Sequence, residues 1–221
     1  MGKEMDNAFQ DIRTAFRLIY KYQTRVQSII NYIREHTLFP SIGGASVWGR
    51  RLFCNTIHGS RTSPDKDYAN LNVHLDMWGW DFLYNYMFEY YFGIKKFGRQ
   101  EVEMSIIQIS DDGFFKSVDS RPSKTKISTF LPCEDAQSNF IFMAGVSKVW
   151  MNDSEEKDMD TFLHKFIASN NDVSKYVDEK GNWFIAKKYP MQRFLSQIDA
   201  DKIIIDYGNL IHDTTGIKIF K

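Results

Sequence analysis

The sequence has few cysteines, no net charge and no long apolar run. Its 221 residues include only Cys54 and Cys133, which are too far apart for a metal-binding pair and too few for a disulfide framework. The longest apolar stretch, residues 140–146, is far shorter than the ~20 residues that a membrane-spanning helix needs. The first ten residues lack the apolar core of a secretory signal. These absences predict a protein of the reducing cytoplasm with no membrane partner.

The charge balance does not indicate a nucleic-acid partner, although it does not exclude one. The chain carries 28 basic and 28 acidic side chains, whereas proteins that bind nucleic-acid phosphates usually show a strong basic excess. A weak excess is confined to residues 1–75, where Arg50, Arg51 and Arg61 come nearest to a basic cluster. Ordinary solvated surface charges are the preferred interpretation, and Arg50 and Arg51 are kept as binding candidates.

Residues 7–36 are predicted to form one long helix. Apolar side chains recur there at every seventh position in two series offset by three: Phe9, Phe16 and Ile30, and Ile12, Ile19, Val26 and Ile33. This a/d pattern is typical of a helix that lies along another helix. Gln23 fills the open position of the first series. A polar residue at such a position can set the register of a coiled coil. The interpretation that we favour is that Gln23 bonds to nearby backbone or lies at the edge of the apolar stripe. The pattern leaves open whether the partner belongs to the same chain.

His74 and Asp76 stand in a long polar connection, residues 55–77. Their spacing would place both side chains on one face of a strand, and both residue types bind metals or move protons. No third ligand is fixed by spacing, so solvated loop residues are the preferred interpretation.

The most informative pattern is a run of aromatic residues at every second position: Trp78, Trp80, Phe82, Tyr84, Tyr86, Phe88, Tyr90 and Phe92. Period two predicts an extended strand with one aromatic face. Exposed rings stack on bases, which makes Trp78, Trp80 and Tyr84 candidates for binding single-stranded nucleic acid or a small ligand. However, eight exposed rings would form an apolar patch that soluble monomers rarely tolerate. We therefore predict that this face is core, covered by the N-terminal helix.

The rest of the chain predicts further strands and helices. After a loop at residues 93–100, strands are predicted at residues 101–110, 127–131, 139–150 and 182–188. Helices are predicted at residues 155–168, capped by Asp153, and at 191–198 and 200–212. The predicted fold class is α+β: an antiparallel sheet of about four strands, packed by the N-terminal helix and two or three C-terminal helices. We predict one domain over residues 1–221, with a boundary near residue 154 as the alternative.

Asp81, Glu101 and Glu103 are the remaining candidates for catalysis. Together with Glu89 they lie on two arms of the predicted hairpin, where converging carboxylates could hold a divalent ion, as in phosphodiester hydrolases. Asp81 and Glu89 are, however, ~26 Å apart along an extended strand at ~3.3 Å per residue. A polar sheet face exposed to solvent is the simpler interpretation of these acids.

No sequence motif fixes a reaction. The chain contains no glycine-rich phosphate loop, zinc-ligand spacing or nucleophile elbow, and nothing indicates a cofactor. We predict a non-catalytic interaction protein that binds other protein chains or itself through the N-terminal helix. One alternative is a metal-dependent hydrolase of nucleic acid, the only case in which a divalent metal is expected. The other is a binder of single strands or small ligands that uses the aromatic strand.

Overall fold

The fold is given by a computed structural model, which describes residues 2–39, 87–113, 115–116, 130–146 and 159–221. In chain order the elements are helix α1 (Gly2–His36), strands β1 (Met87–Phe97), β2 (Gln100–Ile109) and β3 (Asn139–Val146), helix α2 (Met159–Ala168), strands β4 (Val173–Val177) and β5 (Trp183–Pro190), a 3-10 helix (Met191–Phe194) and helix α3 (Gln197–Thr215). The strands form one antiparallel sheet in the order β1-β2-β3-β5-β4. The predicted α+β class is confirmed, with five strands in the described ranges.

Helices cover both faces of the sheet because its central strands are apolar on both sides. All eight residues of β3 are buried. Helices α1 and α3 share one core cluster with Phe88, Tyr90 and Phe92 of β1, and we call this side of the sheet the α1 face. Helix α2 packs on the opposite side, the α2 face, through Leu163 and Phe166.

The described part of the aromatic strand belongs to the core. Phe88, Tyr90 and Phe92 are each at most 1% exposed and lie in the cluster that α1 covers. Burying each ring is worth roughly 1.5–3 kcal/mol. The prediction of a buried aromatic face is confirmed for these three rings, whereas residues 78–86 lie outside the described residues and their burial stays a prediction.

The predicted loop at residues 93–100 is wrong, because β1 continues through most of it. Gly93 pairs with Met104 and leaves Phe92 as an extra residue in the register, which is a β-bulge. Gly93 has a φ of 90°, a conformation that favours glycine because it has no Cβ. The turn into β2 is only two residues long and begins at Gly98. The first glycine therefore marks a bulge within a strand.

The last helix is longer than predicted, because its ends are set by specific caps. Ser196 precedes α3, and its Oγ accepts a hydrogen bond from the Asp199 N–H at 3.2 Å. Gly216 ends the helix in the left-handed region, and its N–H donates to the carbonyl of His212. The predicted helix at residues 191–198 is instead the 3-10 helix followed by this cap.

Several predictions fall wholly or partly outside the described residues. They are the Asp153 cap, the alternative boundary near residue 154 and residues 127–129 of the predicted short strand. The last two residues of that stretch, Phe130 and Leu131, do not lie in a strand. The single-domain organisation stays a prediction, although the sheet contains strands from both sides of residue 154.

Only the C-terminal half of α1 packs into the core. Val26, Ile30 and Ile33 are at most 2% exposed, whereas Phe9 and Ile12 are 51% and 50% exposed. The helix has 35 residues and is therefore ~52 Å long. Its seven-residue apolar pattern thus extends beyond the part that the core uses. None of the helices in the described ranges is both long and apolar enough to traverse a bilayer.

Gln23 is held by side chains of the sheet, so the interpretation that we favoured from the sequence is wrong. It is 6% exposed, and its Nε2 donates to the hydroxyl of Tyr90 at 3.0 Å. That hydroxyl donates to Gln108 Oε1 at 2.8 Å, and Gln108 Nε2 donates to Tyr22 Oη at 3.2 Å. These groups satisfy one another inside the core. They fix the register of α1 on the sheet, because a shifted helix would leave them buried without partners.

We expect Gln23→Leu to destabilise the protein by about 1–3 kcal/mol, because the buried Tyr90 hydroxyl and Gln108 amide each lose a partner. Urea unfolding measures this loss. Gln10→Leu, at an exposed position of the same helix, is the matched control and should change the unfolding free energy by less than ~0.5 kcal/mol. Equal effects of the two substitutions would contradict the buried network.

Candidate functional site

Most site residues predicted from the sequence lie outside the described residues. These are His74, Asp76 and Asp81 among the catalytic candidates, and Arg50, Arg51, Trp78, Trp80 and Tyr84 among the binding candidates. Their roles stay predictions. Glu101 and Glu103 are described, and the structure separates them although both belong to β2. Glu101 is exposed, whereas Glu103 is only 2% exposed.

Glu103 belongs to a pair of buried acids on the α2 face, and the second acid is Glu89. The β1–β2 register sets Glu89 opposite Ile107 and places Ser105 between the two acids along β2. The hydroxyl of Ser105 donates to Glu89 Oε1 at 2.6 Å. Glu89 and Ser105 are both fully buried. The interpretation of these acids as a solvent-exposed polar face is therefore wrong for Glu89 and Glu103. It holds for Glu101, and it stays a prediction for Asp81, which lies outside the described residues.

The two residues directly opposite Glu103 on the neighbouring strands carry no polar side chain. Ile94 lies opposite it on β1, and Gly145 lies opposite it on β3. A Cβ at Gly145 would come within 2.8 Å of the Trp183 carbonyl oxygen and 3.1 Å of Phe184 Cδ2. No side chain therefore fits at this position of β3 without a shift of β5. As a result, Glu103 Oε1 is buried with no hydrogen-bond partner in the structure as described.

This environment favours the neutral form of the acid. Burial is the larger cause that raises the pKa of Glu103, and the negative charges of Glu89 and Glu101 add to it, so that together they bring this pKa to about 8. The group therefore holds its proton at neutral pH. Strongly perturbed carboxyl groups are concentrated at functional sites, because ordinary folding does not favour an uncompensated buried acid.

The acids do not by themselves form a complete ligand set for a metal. Within the described ranges, no three or more His, Cys, Asp or Glu side chains are arranged to hold a metal ion. Of the four hairpin acids considered from the sequence, the structure buries Glu89 and Glu103 and leaves Glu101 exposed, whereas Asp81 lies outside the described residues. Sequence reasoning did not single out Ser105. Its position two residues after Glu103, on the same face of a strand, was the available signal.

Other charged groups on the sheet have evident structural partners. The ammonium group of Lys188 donates to the carbonyls of Phe166 and Ser169 at 3.0 and 2.7 Å, and so caps the C-terminal end of α2. On the opposite face Asp206 accepts hydrogen bonds from Lys187 and Tyr189 at 2.6 and 2.5 Å. These contacts join helices to strands.

A cavity between α1 and α3 is also a product of helix packing. Its volume is about 220 Å³, below the ~300 Å³ at which ligand sites usually begin. Arg25 in its wall donates to the carbonyls of Phe194 and Leu195 at 3.0 and 2.9 Å, and Tyr32 donates to Asp201 at 2.5 Å. The polar groups in its wall thus serve to join α1 to the C-terminal elements.

The stability of the protein is expected to depend on pH through Glu103. Its folded-state pKa of about 8 lies above the ordinary value of 4.5, so the unfolded chain ionises first as the pH rises. The unfolding free energy should therefore fall between pH 4.5 and 8, by on the order of 2–4 kcal/mol. Urea unfolding of Glu103→Gln should lack this decline, whereas Glu101→Gln should retain most of it. An unchanged decline in Glu103→Gln would contradict the assignment.

Comparisons with known proteins assign the chain to a family. A comparison with curated proteins finds no match, and neither does a comparison with solved structures. One family model matches residues 2–214. The match covers all five strands, both acids of the buried pair and nearly all of α3. The chain belongs to the PM0109 family.

Proposed function

We propose that the protein acts as an interaction protein that pairs with a second copy of itself through the N-terminal half of α1. The observation that carries this proposal is the exposure of Phe9 and Ile12, about half of each residue, on a helix whose C-terminal half packs into the core. Leu18 and Tyr20 on the same segment are 61% and 73% exposed. Exposed apolar surface of this extent is typical of a protein–protein interface.

A second copy suits this segment because the apolar pattern is symmetric about Thr14. In an antiparallel pair with its two-fold axis at Thr14, residues equally distant from it face each other. Ile12 of each copy then meets Phe16 of the other, and Phe9 meets Ile19. A two-fold interface requires this self-complementarity.

The proposed pair uses the part of α1 that precedes its contacts with the sheet. Tyr22, where α1 begins to contact the sheet, would lie opposite residue 6 of the other copy, close to the helix end. Ala8 and Ala15 flank the apolar stripe, and such small side chains let two helices approach closely. The sheets would therefore lie at opposite ends of the pair.

We also propose that the protein works in the cytoplasm. Cys133 is a free, exposed thiol. Thiols of this kind stay reduced in the cytoplasm, whereas oxidising compartments favour disulfides. A cytoplasmic location also agrees with the low cysteine content of the chain.

Ile12→Glu is expected to weaken self-association at least ~10-fold, because each pair would bury two carboxylates against Phe16. Sedimentation velocity over 1–100 µM protein compares the variant with the wild type, and circular dichroism checks that the helix is retained. Gln10→Glu adds the same charge beside the stripe and should leave the dimer intact. A wild-type protein that stays monomeric throughout this range would refute the proposal.

The antiparallel arrangement predicts a distance between spin labels at position 21. In this arrangement Lys21 faces residue 7, so two labels are separated by ~21 Å along the helices, at 1.5 Å per residue. With the cysteines at positions 54 and 133 replaced by serine, Lys21→Cys carries the label for pulsed electron paramagnetic resonance. Parallel helices would bring the labels within ~15 Å, given axes 8–10 Å apart, and that result would contradict the two-fold axis at Thr14.

A further inference from the structure

Strand β4 lies at an edge of the sheet, and no strand in the described ranges pairs with its outer side. At one end of β4, the Lys188 N–H donates to the Asp172 carbonyl at 2.8 Å. At the other end, the Asp178 N–H donates to the Asn182 carbonyl at 2.9 Å. The main-chain groups of successive residues in an antiparallel strand point alternately toward and away from a given neighbour. The residues of β4 whose N–H and C=O groups point away from β5 are therefore Val173, Lys175 and Val177.

A groove, which we call the edge groove, lies beside β4 on the α2 face. Its volume is about 320 Å³, and ligand sites usually begin at ~300 Å³. Phe162 and Phe166 of α2 supply its apolar lining, and Ser174 of β4 also lines it. Because side chains of a strand alternate between its two faces, a strand added along β4 would direct every second side chain toward this groove.

The opposite face of β4 presents two apolar side chains around one cation. Val173 and Val177 are 36% and 54% exposed, and Lys175 lies between them on the same face of the strand. The Lys175 ammonium group donates to Thr214 Oγ1 at 3.4 Å. It has no ion-pair partner in the described part of the chain. Opposite charges across a strand pair attract and like charges repel, so this position favours an acid on a neighbouring strand.

We propose that β4 binds an extended peptide as an added strand, with an acidic side chain opposite Lys175 and an apolar side chain in the edge groove. Added strands gain affinity from main-chain hydrogen bonds and specificity from alternate side chains. A second copy of β4 does not suit this edge, because antiparallel two-fold pairing about Lys175 would set the two lysines against each other. The surface is separate from the exposed half of α1, so this proposal does not depend on the pairing of α1.

Fluorescence anisotropy on the full-length protein tests the proposal with the peptide TVTEFVT, labelled at its N-terminus and amidated at its C-terminus. Antiparallel pairing sets its glutamate opposite Lys175 and its phenylalanine opposite Ser174, beside the edge groove. We expect saturable binding, weakened at least ~3-fold when lysine replaces the glutamate and at least ~5-fold when alanine replaces the phenylalanine. In Lys175→Glu the preference between the glutamate and lysine peptides should reverse. Absence of binding up to 1 mM peptide would overturn the proposal.

Two N-methylated peptides distinguish an added strand from other modes of binding. The N–H of the peptide's glutamate would donate to the Lys175 carbonyl, so methylating this nitrogen should abolish binding. The N–H of its phenylalanine would point away from β4, and methylating that nitrogen should leave the affinity within about threefold. Equal losses from the two methylations would overturn the assignment.

Nuclear magnetic resonance locates the bound peptide on the protein. In ¹H–¹⁵N spectra, the amide signals of Val173, Lys175 and Val177 should shift during the titration and exchange more slowly with solvent. Shifts confined to α1 would overturn the assignment. Protection of these three amides that rises with protein concentration in the absence of peptide would also overturn it, in favour of a second copy at this edge.

Discussion

The burial of both faces of one antiparallel sheet is the constraint on which the rest of this structure depends. Every residue of β3 is buried, so neither face can be left to water, and helices must lie on both. Packing α1 and α3 on one face and α2 on the other satisfies this requirement. The aromatic side chains of β1 then contribute to the core, where burying each ring stabilises the fold.

The two faces treat their buried polar groups differently. On the α1 face, the side chains of Gln23, Tyr90 and Gln108 hydrogen-bond to one another. They therefore fix one register of α1 on the sheet at little cost in stability. On the α2 face, Ser105 donates to Glu89 while Oε1 of Glu103 is left without a partner. Burial without compensation destabilises the ionised acid. The first group therefore stabilises the packing of α1, whereas the ionised form of Glu103 is disfavoured where it lies.

The sequence predictions that the structure confirms are those based on the regular spacing of apolar residues along the chain. The heptad spacing predicted α1, and alternation predicted β2 and its apolar side, because each pattern repeats over many residues. In α3 the spacing of Ile203, Tyr207 and Ile211 identified the buried side of the helix. The prediction of a loop beginning at Gly93 was wrong, because a glycine in the sequence indicates a loop and a β-bulge equally. The strand pairing alone distinguishes the two.

By itself the sequence determined the α+β class, the long first helix and the aromatic side of β1, since these follow from spacing along the chain. Only the tertiary structure decided that Glu101 is exposed and Glu103 buried. Both acids lie on the same face of the same strand, so no local pattern separates them. What differs is the position of each within the assembled sheet, where Glu103 lies between Ile94 and Gly145. Contacts between residues distant in sequence therefore set its charge state.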